Sequence, residues 1–92
     1  MTEPRSWVFG TAEDCDVRVD DEYASNHHCR VTLAEDGTVT VEDLGSTNGT
    51  WIRPGGGPAA GPLSYGTRVR GPVRLEPGWI IRVGKTDVPW RR

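Results

Sequence analysis

Nowhere in the 92 residues do apolar side chains run unbroken for the roughly 20 positions that cross a bilayer, so a helical membrane span is excluded. No charged-then-apolar leader precedes the first apolar segment, and a cytoplasmic location is the expectation. Also missing is any window that keeps an apolar period of 3.6 long enough for a helix. Cysteine is scarce: Cys15 and Cys29 are the only two. Two thiols in leaderless, strand-like segments read as small packed hydrophobes, although sequence alone leaves a disulfide open. With a net charge of −2, the chain lacks the basic excess of a general nucleic-acid binder.

Glycine and proline are plentiful, at 12 and 7 residues, and 35% of the chain is hydrophobic. That composition predicts one small, turn-rich domain over 1–92, with a single core and no room for a deep catalytic cavity. Charge is unevenly placed. Residues 1–50 carry 11 acids and 3 bases, net −8, while 51–92 carry 2 acids and 8 bases, net +6. Neighbouring strands can interleave the halves, so mixed patches are expected. The alternative is a basic area built from Arg68, Arg70, Arg74, Arg82 and Lys85 that meets an anionic ligand.

Alternation of period two recurs. Cys29, Val31 and Leu33 face one way and His28, Arg30 and Thr32 the other; Val39 and Val41 alternate with Thr38, Thr40 and Glu42. "AEDGT" between them predicts a tight hairpin, with Asp36 and Gly37 supplying positive φ. Further strands are predicted at 7–9, 15–19, 50–52, 67–70, 73–75, 79–83 and 88–90. Many short strands with close turn signals imply an all-β antiparallel sandwich. "RPGGGPAAGP" (53–62) has little to bury, and a loop inserted at about 53–66 is expected.

Three motif-like stretches then follow in order: "FGTAEDCDVRV" (9–19), "SNHH" (25–28) and "DLGSTNGTWI" (43–52), with "LEPGWIIRVG" (75–84) after them. Runs rich in Ser, Thr, Asn and Gly are ordinary turn formers. They are also what a phosphate dianion needs, since hydroxyls, a carboxamide and backbone N–H groups on a rigid sheet can converge on its oxygens.

The ordered set resembles the forkhead-associated domain, a phosphothreonine-peptide-binding β-sandwich of the SMAD/FHA type, from about Trp7 to Gly84. The resemblance implies that Gly10 shapes the first turn, Ser25 donates its hydroxyl to phosphate and His28 braces the loop from beneath. It implies that Thr47 lines the phosphothreonine pocket, that Asn48 bonds the peptide backbone, and that Gly49 lets the chain leave the loop. Asn26 and Thr11 join the phosphopeptide site, and Tyr23 tunes preference at the third position after the phosphothreonine. The implied partners are a Thr-phosphorylated protein or peptide and a Ser/Thr kinase or its substrate, with no cofactor, metal, nucleic acid or membrane, and no catalysis.

Two departures stand out. The family has an arginine directly after the glycine at position 10, whereas this chain has Thr11; Arg53, where the family commonly has Asn, or the group Arg68, Arg70 and Arg74 is then expected to supply the charge. The family also has two more strands ahead of the one ending at Gly10, so the first two of the usual eleven are expected to be missing. That would expose a sheet edge suited to a homodimer, unless the chain is part of a longer protein or "TDVPWRR" or a partner covers it. The alternatives are therefore a phosphate-independent interaction domain and a structural oligomerisation module.

Other chemistry fits poorly. His27, His28, Cys15 and Cys29 match no usual zinc spacing, and adjacent strand residues point apart. A hydrolytic triad of Ser25, His28 and Asp43 has no nucleophile elbow and no oxyanion-hole motif.

Overall fold

A computed structural model describes residues 5–55 and 66–90. Among them are nine strands and no helix: β1 (Arg5–Gly10), β2 (Val17–Arg18), β3 (Cys29–Leu33), β4 (Val39–Asp43), β5 (Thr50–Arg53), β6 (Thr67–Val69), β7 (Val73–Arg74), β8 (Ile80–Val83) and β9 (Thr86–Pro89). They form a five-stranded sheet in the order β2-β1-β3-β4-β7 and a four-stranded sheet in the order β6-β5-β8-β9.

The period-two pattern explains the packing. Phe9, Cys29, Val31, Val39 and Val41 turn inward from the first sheet and meet Ile52, Val69, Ile81 and Val83 from the second, all buried. Each such side chain contributes about 1.5–3 kcal/mol by leaving water. Buried Trp90 closes one side, packing edge-on against Trp7 with centroids 5.2 Å apart.

Several expectations need correcting. The strand predicted over 15–19 shrinks to Val17–Arg18, because the Cys15 amide is drawn into a turn on the Ala12 carbonyl at 3.1 Å. It also pairs with β1 in parallel, Phe9 beside Val17 and Gly10 beside Arg18, so the sandwich is not wholly antiparallel. In the β3–β4 hairpin the positive φ falls on Gly37 alone, at +89°, after a turn closed by Gly37 N–H on the Ala34 carbonyl. "TDVP" is no cover for a bare β1, which lies between β2 and β3; it forms β9, an edge of the other sheet ending in Pro89. The predicted inserted loop falls mostly on 56–65, outside the described residues.

The charge halves do not interleave as expected either. The four-stranded sheet is built wholly from residues 50–89, and only β7 crosses to join the strands of the acidic half. Sequence asymmetry thus becomes a difference between the two sheets.

Candidate functional site

Three loops gather at one end of the sandwich: 11–16 after β1, 19–28 before β3, and 44–49 between β4 and β5. Asp43 organises the last. Its Oδ2 accepts the Gly45 and Ser46 amides, both at 3.0 Å, and its Oδ1 accepts the Thr50 hydroxyl at 2.7 Å and the Ser46 hydroxyl. Burial acts to raise the Asp43 pKa, but the bonds from Ser46, Thr50 and Gly45 outweigh it and hold the carboxyl below the ordinary 3.8. This is the physical role of the acid in "DLGSTNGT".

His28 ties the second loop to the third. Its Nδ1 accepts the Ser25 amide at 3.0 Å, so the ring proton sits on Nε2, which donates to the Gly49 carbonyl at 2.8 Å. The imidazole is completely buried. These bonds dispose of a hydrolytic triad: His28 faces the Ser25 backbone rather than its hydroxyl, and Asp43 is spent on its own loop.

The remaining site residues cross-link the loops. Ser25 Oγ accepts the Thr47 amide at 3.2 Å, which leaves its own O–H as a donor. Thr11 donates its hydroxyl to Asn26 Oδ1 at 2.9 Å, which turns the Asn26 amide nitrogen away as a donor. Asn48 donates from Nδ2 to the Tyr23 carbonyl at 2.7 Å. Asn26, Thr47 and Asn48 are exposed, and Thr11 and Ser25 are half-buried.

Gly10 is required by closeness: a Cβ there would stand 2.0 Å from the Asn26 carbonyl oxygen. The Thr11 and Ala12 amides bond the Ser25 and Asn26 carbonyls at 3.1 and 3.2 Å, which seals this contact. Gly49 has φ +84°, a conformation that favours glycine.

The four arginines expected near the site separate. Arg53 lies at the far end of β5, with its Nη2 2.8 Å from Asp87 Oδ2. Arg74 sits opposite Thr40 on edge strand β7, 3.2 Å from Glu76. Arg70 is exposed just past the end of β6. Arg68 does reach the loop: a Cβ on Gly49 would lie 3.0 Å from its Nε, and its guanidinium stands 5.9 Å from the Trp51 ring centre.

Sequence reasoning missed Arg18. It is exposed beside Gly10, and its Nε donates to the Thr11 carbonyl at 3.3 Å. The available signal was its outward place between Val17 and Val19 on the strand after the first loop.

Two further features adjoin the loops. Ligand atoms of Asp14, Cys15 and His27 lie within 4.8 Å of one another. All three serve as loop ties, since His27 Nε2 bonds Asp14 at 3.0 Å and Cys15 Sγ donates to the Asn26 carbonyl at 3.0 Å. On the other side, Tyr23, Asn48, Trp51, Arg82, Gly84 and Lys85 line an open cleft of about 250 Å³.

Comparison with known proteins gives a consistent result. The sequence profile of the FHA domain matches residues 7–84. FHA domain-containing protein FhaB of Mycobacterium tuberculosis is 33% identical over 84 residues, covering 91% of this chain and 46% of that protein. The chain thus spans about half the length of the curated relatives it matches. Among solved structures, the FHA domain of CT664 from Chlamydia trachomatis superposes with a TM-score of 0.75 at 20% identity, over 95% of this chain and 75% of that one. The N-terminal FHA domain of Rad53p from S. cerevisiae, solved with a phosphothreonine peptide, gives a TM-score of 0.67 at 31% identity, over 87% of this chain and 56% of that one.

Proposed function

The chain belongs to the FHA domain family, and on that premise we propose that it is a non-catalytic module that docks a Thr-phosphorylated segment of a partner in Ser/Thr kinase signalling. The observation that carries the reading is the bond from the Thr47 amide to Ser25 Oγ, which draws two loops together and leaves the Ser25 O–H as a donor beside them. Around it we place the Asn26 amide, Thr11 and Thr47 as further phosphate contacts, and Asn48 as the contact to the peptide backbone. Gly10, His28 and Gly49 support these groups, and Tyr23 borders the peptide's onward path.

Charge for the dianion comes in this reading from Arg18 and Arg68 in place of the residue at Thr11, because both guanidinium groups lie against the loops. We assign a cytoplasmic location, and a β9 edge open to a further strand from a second copy or a larger chain.

The test is fluorescence anisotropy with one peptide in its threonine, phosphoserine and phosphothreonine forms. Selective binding of the phosphothreonine form, lost in Asn48→Ala with the fold intact, is expected. Equal binding of all three would replace this reading with the phosphate-independent interaction domain; concentration-dependent mass without peptide binding would favour the oligomerisation module.

A further inference from the structure

Residues opposite one another in antiparallel strands share a face of the sheet. On the four-stranded sheet, Arg68 pairs with Trp51, Trp51 with Arg82, and Arg82 with Asp87. One outward row therefore runs across all four strands, from beside Gly49 to the edge at β9. Arg68 lies over the Trp51 ring, and Asp87 is shared by Arg53 at 2.8 Å and Arg82 at 3.3 Å. In the turn joining β8 to β9, beyond Arg82, Lys85 Nζ stands 4.1 Å from the Tyr23 ring centre, over the cleft that Asn48 also lines.

With Arg68 assigned to the phosphate, three further cations (Arg53, Arg82 and Lys85) face one carboxylate (Asp87), leaving the strip at net +2. Asp21 ties the Lys85 turn to the second loop, its Oδ2 accepting the Lys85 amide at 2.8 Å and the Thr86 hydroxyl at 2.7 Å and its Oδ1 the Tyr23 amide at 2.8 Å, and its charge offsets part of that of Lys85. Aromatic rings beneath the cations hold them in place and lower the local dielectric, which strengthens their pull on an anion.

We propose that this basic-aromatic strip binds an acidic stretch of the same partner, so that the ligand is a phosphothreonine with carboxylates clustered on one flank. The proposal builds on the phosphopeptide reading and names the partner's chemistry. A chain leaving the Asn48 loop enters the cleft under Lys85 and can continue over Trp51 and Arg82 toward Arg53, where its carboxylates meet fixed cations. A basic or purely apolar flank would meet repulsion or find no complement there.

The experiment compares phosphothreonine peptides of equal length bearing three Asp residues before the phosphothreonine, three after it, or Ala on both sides, against the wild type, Lys85→Gln and Lys85→Glu. Acid on one flank should tighten wild-type binding about threefold to thirtyfold over Ala, with a steeper salt dependence. Lys85→Gln should remove much of that gain and Lys85→Glu should reverse it, each leaving the phosphothreonine-to-threonine ratio on the Ala peptide unchanged. Lys85 sits in an exposed turn, so both variants should fold. No gain on either flank, an equal gain on both, or a gain indifferent to Lys85 would overturn the strip while leaving phosphopeptide recognition standing. A three-Asp peptide that binds equally with and without phosphate would sink the phosphopeptide reading and keep the strip.

Discussion

His28 and Gly49, 21 positions apart in sequence, are joined by a 2.8 Å hydrogen bond from a completely buried imidazole to a backbone carbonyl. The same ring accepts the Ser25 amide, so one side chain sets the spacing of two loops.

Replacing His28 by Ala strands the Ser25 N–H and the Gly49 carbonyl and opens a void. The expected cost is roughly 2–4 kcal/mol, which in a domain of this size lowers Tm by about 10 °C or more. Phosphopeptide affinity should fall in the same variant, measured below its Tm. Lost binding at full thermal stability would instead make His28 a ligand contact.

The charge at the phosphate gives a second expectation. Arg18→Gln and Arg68→Gln should each weaken phosphothreonine binding by about tenfold, the size of one charge-assisted hydrogen bond, and flatten its salt dependence. Thr11→Arg should add little, because the position is already flanked by a guanidinium. A strong gain from Thr11→Arg, with no loss in either Gln variant, would show that nothing fills the vacant role.

Acid should loosen the loop scaffold. Asp43 is held below 3.8 against burial by Ser46, Thr50 and Gly45; Asp21 is held down by Thr86 first and then the Tyr23 amide, and Asp87 by Arg53. A carboxyl whose pKa is lower folded than unfolded adds stability above the unfolded value and loses it as pH falls through the folded one. Tm should therefore hold from pH 7 to about 5 and drop below about pH 4. Asp43→Asn should be less stable at neutral pH and should show a shallower acid limb. An acid limb of unchanged slope in that variant would remove Asp43 from the account.

The cysteines should differ in reactivity. Burial pushes the Cys29 thiol up to about 12, and the same cause raises that of the half-buried Cys15. At pH 8 a thiol reagent should modify Cys15 slowly and Cys29 only on unfolding, and reductant should leave the unfolding midpoint unchanged. A midpoint that shifts on reduction would reveal a bridge.

Much of this was legible because it is local. The alternation at Val39 and Val41 reports a half-buried strand wherever that strand pairs, and an acid heading "GSTNG" reports a loop that caps itself. What escaped depends on register between distant segments. Arg18 reaches Thr11 only because β2 turns back parallel to β1, and Arg53 is lost to the phosphate because β8 and β9 bring Asp87 to it from 34 positions away. The segregation of charge between the sheets depends likewise on strand order. Spacing along the chain carries none of that information.

Gly10 approaches the Asn26 carbonyl so closely that even a methyl group would not fit between them. The first and second loops therefore cannot slide past one another, and on the phosphopeptide reading proposed above the ligand meets a surface with little left to rearrange. Little ordering entropy remains for the protein to lose at that moment. Encounter then proceeds in one bimolecular step at a rate set by steering and orientation, and preferences among peptides are written in how long each one stays.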